Sequence, residues 1–176
     1  MKILLAALTM IIATNASPLF AKGGAGGKGA KKSASTPAVD PNLAAAKAHG
    51  GKVWILSSAP PSVEGEELAK WLSGHPSAGE VSKKPNEERW PINYLAVFRK
   101  PPAKGPMTIE FVDKKEPGTL VAQDSSQTMG GSLVFQEPYD LDTNNGFNKG
   151  HTYIIKVGQI IKNKFISYAT GEVALK

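Results

Sequence analysis

Asp140, Asp142 and Asn144 stand in the run EPYDLDTNNGFNKGH, residues 137–151, at positions one, three and five of a loop pattern. That spacing collects oxygens around a hard cation such as calcium. The run then departs from the pattern. Its sixth position is Asn145 where glycine is expected, and its twelfth is His151 where a bidentate Glu is expected, so charge and ligands are both short. Asp and Asn before a glycine also build ordinary turns by bonding their own backbone. The three residues are therefore candidate metal ligands with a competing reading as a turn.

Other chemistry is sparse. His49, His75 and His151 fall into no metal-ligand spacing, no G-x-S-x-G is present, and the absence of cysteine removes thiol nucleophiles. Neither GGAGGKGA nor TMGGS follows a strand and opens a helix as a phosphate loop requires. Glu87 and Glu88 are neighbouring carboxylates, but adjacent loop residues need not converge on a substrate. The same segment, NEERWPINY, groups Arg89, Trp90 and Tyr94, an aromatic and cationic set suited to gripping a protein or stacking on a sugar. Its alternative is a structural one, with Trp90 plugging the end of the fold. These readings point to a non-enzymatic protein without a cofactor, with an exported hydrolase as the weakest alternative.

The elements that must carry these residues read mainly as strands. From Gly51 onward apolar residues recur at every second position, the signature of half-buried strands. Seven segments follow it: 52–58, 92–99, 107–113, 119–123, 132–136, 152–160 and 165–175. Turn signals such as KPPAKGP, KKEPG, TMGG and KNK separate them. One helix interrupts, in SVEGEELAKWLSGH, with Ser62 as N-cap, early glutamates, a Leu68, Trp71, Leu72 stripe and Gly74 as the stop. In the last segment Ile166 and Tyr168 have the opposite parity to Val173 and Leu175. A bulge at Thr170–Gly171 restores the phase; a flat strand with Phe165, Ser167 and Ala169 inward is the alternative.

FNKGHTYIIKV, residues 147–157, places Gly150 three residues before Tyr153, with Tyr153, Ile155 and Val157 on one strand face. This resembles the tyrosine corner of fibronectin type III and immunoglobulin-like domains, with Lys149 where proline is usual. The resemblance implies a fold class: an immunoglobulin-like antiparallel β-sandwich of about seven strands, with the helix inserted between the first and second. It also implies a Tyr153 hydroxyl bonded to upstream backbone.

Residues 1–21 have the layout of a secretory signal peptide, with one lysine and an apolar run from Ile3 to Ala13, cleaved after Ala16 or Ala21. That run is too short to span a membrane. Residues 22–51 read as a flexible Gly/Ala/Lys-rich tether, and 52–176 as the sandwich domain. The net charge of +6 lies mostly outside the domain, where Lys52 to Lys176 holds 15 Lys and Arg against 14 Asp and Glu. That balance argues against nucleic acid, while the tether lysines suit weak contact with an anionic surface. The expectation is an exported bacterial binding module, periplasmic or extracellular, contacting a protein or polysaccharide. An envelope subunit assembling by sheet-edge pairing is the alternative.

Overall fold

The computed structural model describes residues 40–176, with backbone alone for 127–129. The expected signal peptide and the expected tether as far as residue 39 lie outside the described residues. The remainder of the expected tether is folded. Leu43–His49 forms helix α1, with Ala45 and Ala46 buried. Its start is held by Asp40, whose two oxygens accept the Asn42 and Leu133 amides at 2.7 and 2.9 Å.

Eight strands follow: β1 (Lys52–Leu56), β2 (Glu80–Val81), β3 (Arg89–Val97), β4 (Gly105–Asp113), β5 (Leu120–Met129), β6 (Val134–Asp142), β7 (Thr152–Ile161) and β8 (Lys164–Leu175). Helix α2 (Gly65–Gly74) lies between β1 and β2, and Glu64 rather than Ser62 precedes its first turn. All strands belong to one sheet, ordered β5-β4-β7-β8-β1-β3-β6, with β2 beside the end of β8.

This overturns the immunoglobulin-like sandwich. Instead of two facing layers, one sheet curls through 259° into an open half-barrel whose edge strands stand 9 Å apart. The resemblance to fibronectin type III and immunoglobulin-like domains does not extend beyond the corner. The sheet is also mixed, because β1 meets β8 in parallel at Lys52 and Thr170 and β2 joins β8 in parallel.

Curling has a local cause. Pairing slips between Pro106 and Thr108 and between Phe111 and Val112 where β4 faces β5. Between β7 and β8, Val157 faces Ala169 while Gly158 faces Ser167, leaving Tyr168 as the extra residue. Each slip sharpens twist and bends the strand, which brings distant edges toward one another. The bulge that restores phase in β8 thus sits at Tyr168, not at Thr170–Gly171. Ala169, Val173 and Leu175 all end up buried behind it.

One curled sheet has an inner and an outer face, and both are used. Inside, Val53, Ile55, Trp90, Ile92, Tyr94, Phe111, Tyr153 and Val173 belong to one continuous core. Outside, Trp54 and Leu56 of β1 and Leu95 and Val97 of β3 pack under Leu68 and Leu72 of α2 and the alanines of α1. Strands β1 and β3 are therefore apolar at consecutive positions, as strands covered on both faces must be.

The tyrosine corner is present. Tyr153 is fully buried and its hydroxyl accepts the Asn148 amide at 2.7 Å. Phe147 meets its ring edge-on, with 5.0 Å between centroids. Gly150, at a φ of 78°, turns the chain so that its amide donates to Leu175 at 2.7 Å.

Candidate functional site

The residues singled out in the sequence disperse. Asp140 and Asp142 lie in β6, not in a loop, at alternate positions around the buried Leu141. Asp140 accepts the Arg89 guanidinium at 3.0 Å, and Asp142 accepts the Asn144 amide at 2.7 Å, capping the short 3-10 turn Thr143–Asn145. Among the described residues no three His, Cys, Asp or Glu side chains gather as metal ligands.

Of the aromatic set, Trp90 and Tyr94 are in the interior. Trp90 is fully buried and its indole donates to the Lys176 carbonyl at 3.0 Å, while Tyr94 turns toward Glu137 at 3.4 Å. Burial and the neighbouring Glu137 charge drive the Tyr94 proton affinity well above the ordinary phenol range. Ser126 of β5 donates to the same carboxylate, so side chains bridge the two sheet edges where backbone does not. Only Arg89 of the set is exposed.

A second polar pair lies at the corner. The buried Asp113 carboxylate accepts His151 Nδ1 at 2.5 Å and the Lys115 amide at 2.8 Å. Burial raises the Asp113 pKa, but the hydrogen bonds from His151 and the Lys115 amide outweigh it and hold the carboxyl below its ordinary value. Folding thus lowers this pKa, and the unfolded chain binds the proton more readily. The resulting stabilisation is complete above the unfolded pKa and is lost as pH falls through the folded one, below about pH 4. Asp113→Asn should cost roughly 1–3 kcal/mol at pH 7 by leaving the partners poorly satisfied. Urea titrations at pH 7 and below pH 3 should show the gap between variant and wild type shrinking with acid; a constant gap would refute the linkage.

A concave feature lies at the barrel mouth, where β3 ends, β4 and β1 begin and the β7–β8 hairpin turns. A cavity of about 590 Å³ opens there, floored by Ser167, Tyr168, Ala169 and Thr170 and walled by Arg99 to Ala103. Its shape follows from sequence. The β3–β4 loop, FRKPPAKG, holds two prolines that fix their own φ angles. Gln159 ties this loop to the sheet, donating to the Ala103 carbonyl at 2.8 Å and accepting the Tyr168 hydroxyl at 3.1 Å. Tyr168 is the bulge residue, so the pairing slip that curls the sheet also aims a ring into the mouth.

Electrostatics at this end are one-sided. Lys52, Arg99, Lys100, Lys104, Lys162 and Lys164 are all exposed around the mouth. Among the described residues none of the six pairs with a carboxylate. Arg99 Nε donates to the Gly50 carbonyl at 3.1 Å, which steadies the guanidinium beside the cavity. The cavity-lining residues include no acid. The near-neutral count for the domain therefore conceals a segregated charge. Sequence reasoning missed the mouth because its cations are spread over three distant stretches, although RKPPAKG was legible as a basic, acid-free loop.

The chain matches no family model, no curated protein and no solved structure. The expected module, built from loops on a rigid two-layer sandwich, is corrected by the half-barrel: that scaffold is absent, and the charged mouth replaces the Arg89, Trp90, Tyr94 patch as the candidate site.

Proposed function

We propose that the protein is a non-catalytic receptor for a small molecule carrying a phosphate or carboxylate group, held in the barrel mouth. The observation that carries the reading is the steadied, carboxylate-free Arg99 beside an acid-free cavity. Its volume of about 590 Å³ suits a small ligand, since such sites run roughly 300–1,000 Å³ and favour the mouths of barrels. Arg99 offers a planar fork that matches two anionic oxygens, and Lys100 adds a point charge. Hydroxyls of Ser167, Tyr168 and Thr170 complete a polar floor, while Pro101, Pro102 and Ala169 supply apolar contact. Nothing in this set is arranged as a nucleophile with a base, which favours binding over turnover.

Phenyl phosphate is a suitable probe, joining an anionic head to an apolar ring. In an NMR titration at low salt it should shift the amides of Arg99, Lys100, Ala103 and 167–170 as one group. Arg99→Ala should weaken binding at least about tenfold, as loss of a charge-assisted hydrogen bond does. Shifts scattered over the surface, or unchanged affinity in the variant, would exclude the reading.

A further inference from the structure

The β7–β8 hairpin projects beside the mouth and is unusually apolar at its tip. Ile160, Ile161 and Ile166 are 50%, 40% and 36% exposed. Soluble proteins expose single apolar residues freely, but here Ile161 and Ile166 share one face of the hairpin end and Ile160 lies on the other, so the tip is apolar on both sides. The tip is rigidly built. Ile160 pairs with Phe165 and Ile161 with Lys164, closing on a two-residue turn. Lys162 and Asn163 have φ of 51° and 60°, the left-handed pair of a type I′ turn whose twist matches the strands. The isoleucines are therefore held at the end of a paired hairpin and not on a loose loop.

Around this tip stand the unpaired cations of the mouth. Lys162 and Lys164 flank the isoleucines, and Lys104 lies in the loop that Gln159 fastens to the hairpin. The cavity lining beside the tip holds no acid, and Asp40, at the start of α1, has both oxygens committed to backbone amides. Apolar side chains ringed by lysines whose charged heads can reach outward from their alkyl stems suit one environment above others. It is the surface of an anionic bilayer, where isoleucine enters the acyl boundary and the ammonium groups meet the headgroups. A nucleic acid or soluble polyanion would use the charge but leave the isoleucines in water.

We propose that the β7–β8 hairpin docks the barrel mouth onto an anionic lipid surface, inserting Ile160, Ile161 and Ile166 at its tip. The inference shares the cationic rim with the small-anion reading but does not depend on occupancy of the cavity. No described helix is long and apolar enough to cross a membrane.

The test uses the full chain and vesicles of phosphatidylcholine with or without phosphatidylglycerol. The chain contains no cysteine, so Asn163→Cys accepts a single polarity-sensitive fluorophore, and Lys115→Cys, in the β4–β5 turn, serves as a control. The label at 163 should shift to the blue on phosphatidylglycerol vesicles and not on phosphatidylcholine alone, while the label at 115 should not move. Ile160→Ser with Ile161→Ser should reduce vesicle binding at least about fivefold and leave phenyl phosphate affinity unchanged. Loss of both bindings together, with circular dichroism showing an intact sheet, would defeat the claim of a separate contact. Unchanged vesicle binding in the double variant, equal shifts at both labels, or displacement by heparin without any emission change would overturn the docking proposal.

Discussion

Trp90→Ala is expected to lower stability by about 3–5 kcal/mol, the range for truncating a large buried aromatic. The indole is fully buried in the inner core, opposite Leu141 on β6, and its N–H donates to the Lys176 carbonyl at 3.0 Å. Truncation therefore opens a cavity at one end of the half-barrel and removes the anchor of the final residue. The midpoint of thermal unfolding should fall by about 10 °C or more. Arg89→Ala, one residue away, breaks only exposed pairs with Asp140 at 3.0 Å and Glu87 at 3.9 Å and should cost less than about 1 kcal/mol. A Trp90→Ala protein with unchanged denaturant midpoint would show that the ring is not the plug.

Gly158→Ala is expected to be nearly as damaging, at about 3 kcal/mol or more, through crowding where Trp90→Ala acts through loss. A β-carbon on Gly158 would lie 2.0 Å from the Ile166 carbonyl oxygen and 2.9 Å from Ser167 Cα. Both neighbours are backbone, so no side chain can swing away. They belong to the bulge that bends β8 and presents Tyr168 to the mouth, so relief of the clash must distort that bend. The variant should combine a lower denaturant midpoint with weaker phenyl phosphate binding. Gly74→Ala is the contrast. Nothing lies within 4 Å of its added carbon, and alanine at this last helical residue should be neutral or mildly stabilising. Equal midpoints for Gly158→Ala and wild type would dismiss the packing argument.

The charge reading shows why a count misleads. Fifteen cations against fourteen anions suggest a domain with no preferred pole. Lys52 opens β1, Arg99 to Lys104 join β3 to β4, and Lys162 and Lys164 lie at a hairpin turn. Only the curled sheet brings these stretches to one rim.

The placement of the D-x-D-x-N residues was likewise decided by distant pairing. The D-x-D-x-N pattern is local, but Asp140 and Asp142 extend a strand because their segment pairs residue for residue with β3. The helix in the expected tether was hidden differently. LAAAKAH carries little apolar surface, yet small alanines let α1 approach closely enough to be buried. Short-range composition described its solubility, and packing against α2 and β3 decided its structure.

By itself, the sequence determined what depends on near neighbours: the period-two strands, the α2 stripe, the turn at 162–163, and a tyrosine corner whose hydroxyl reaches five residues back. Alternation of apolar and polar residues is the same for a strand in a sandwich and for one in a curled sheet, because each only needs one dry face. Which strands pair, how far each pairing slips, and whether the sheet folds onto a second layer or bends around its own core are sums over distant contacts. Those sums made the half-barrel, gathered the cations at its mouth, and turned Trp90 inward.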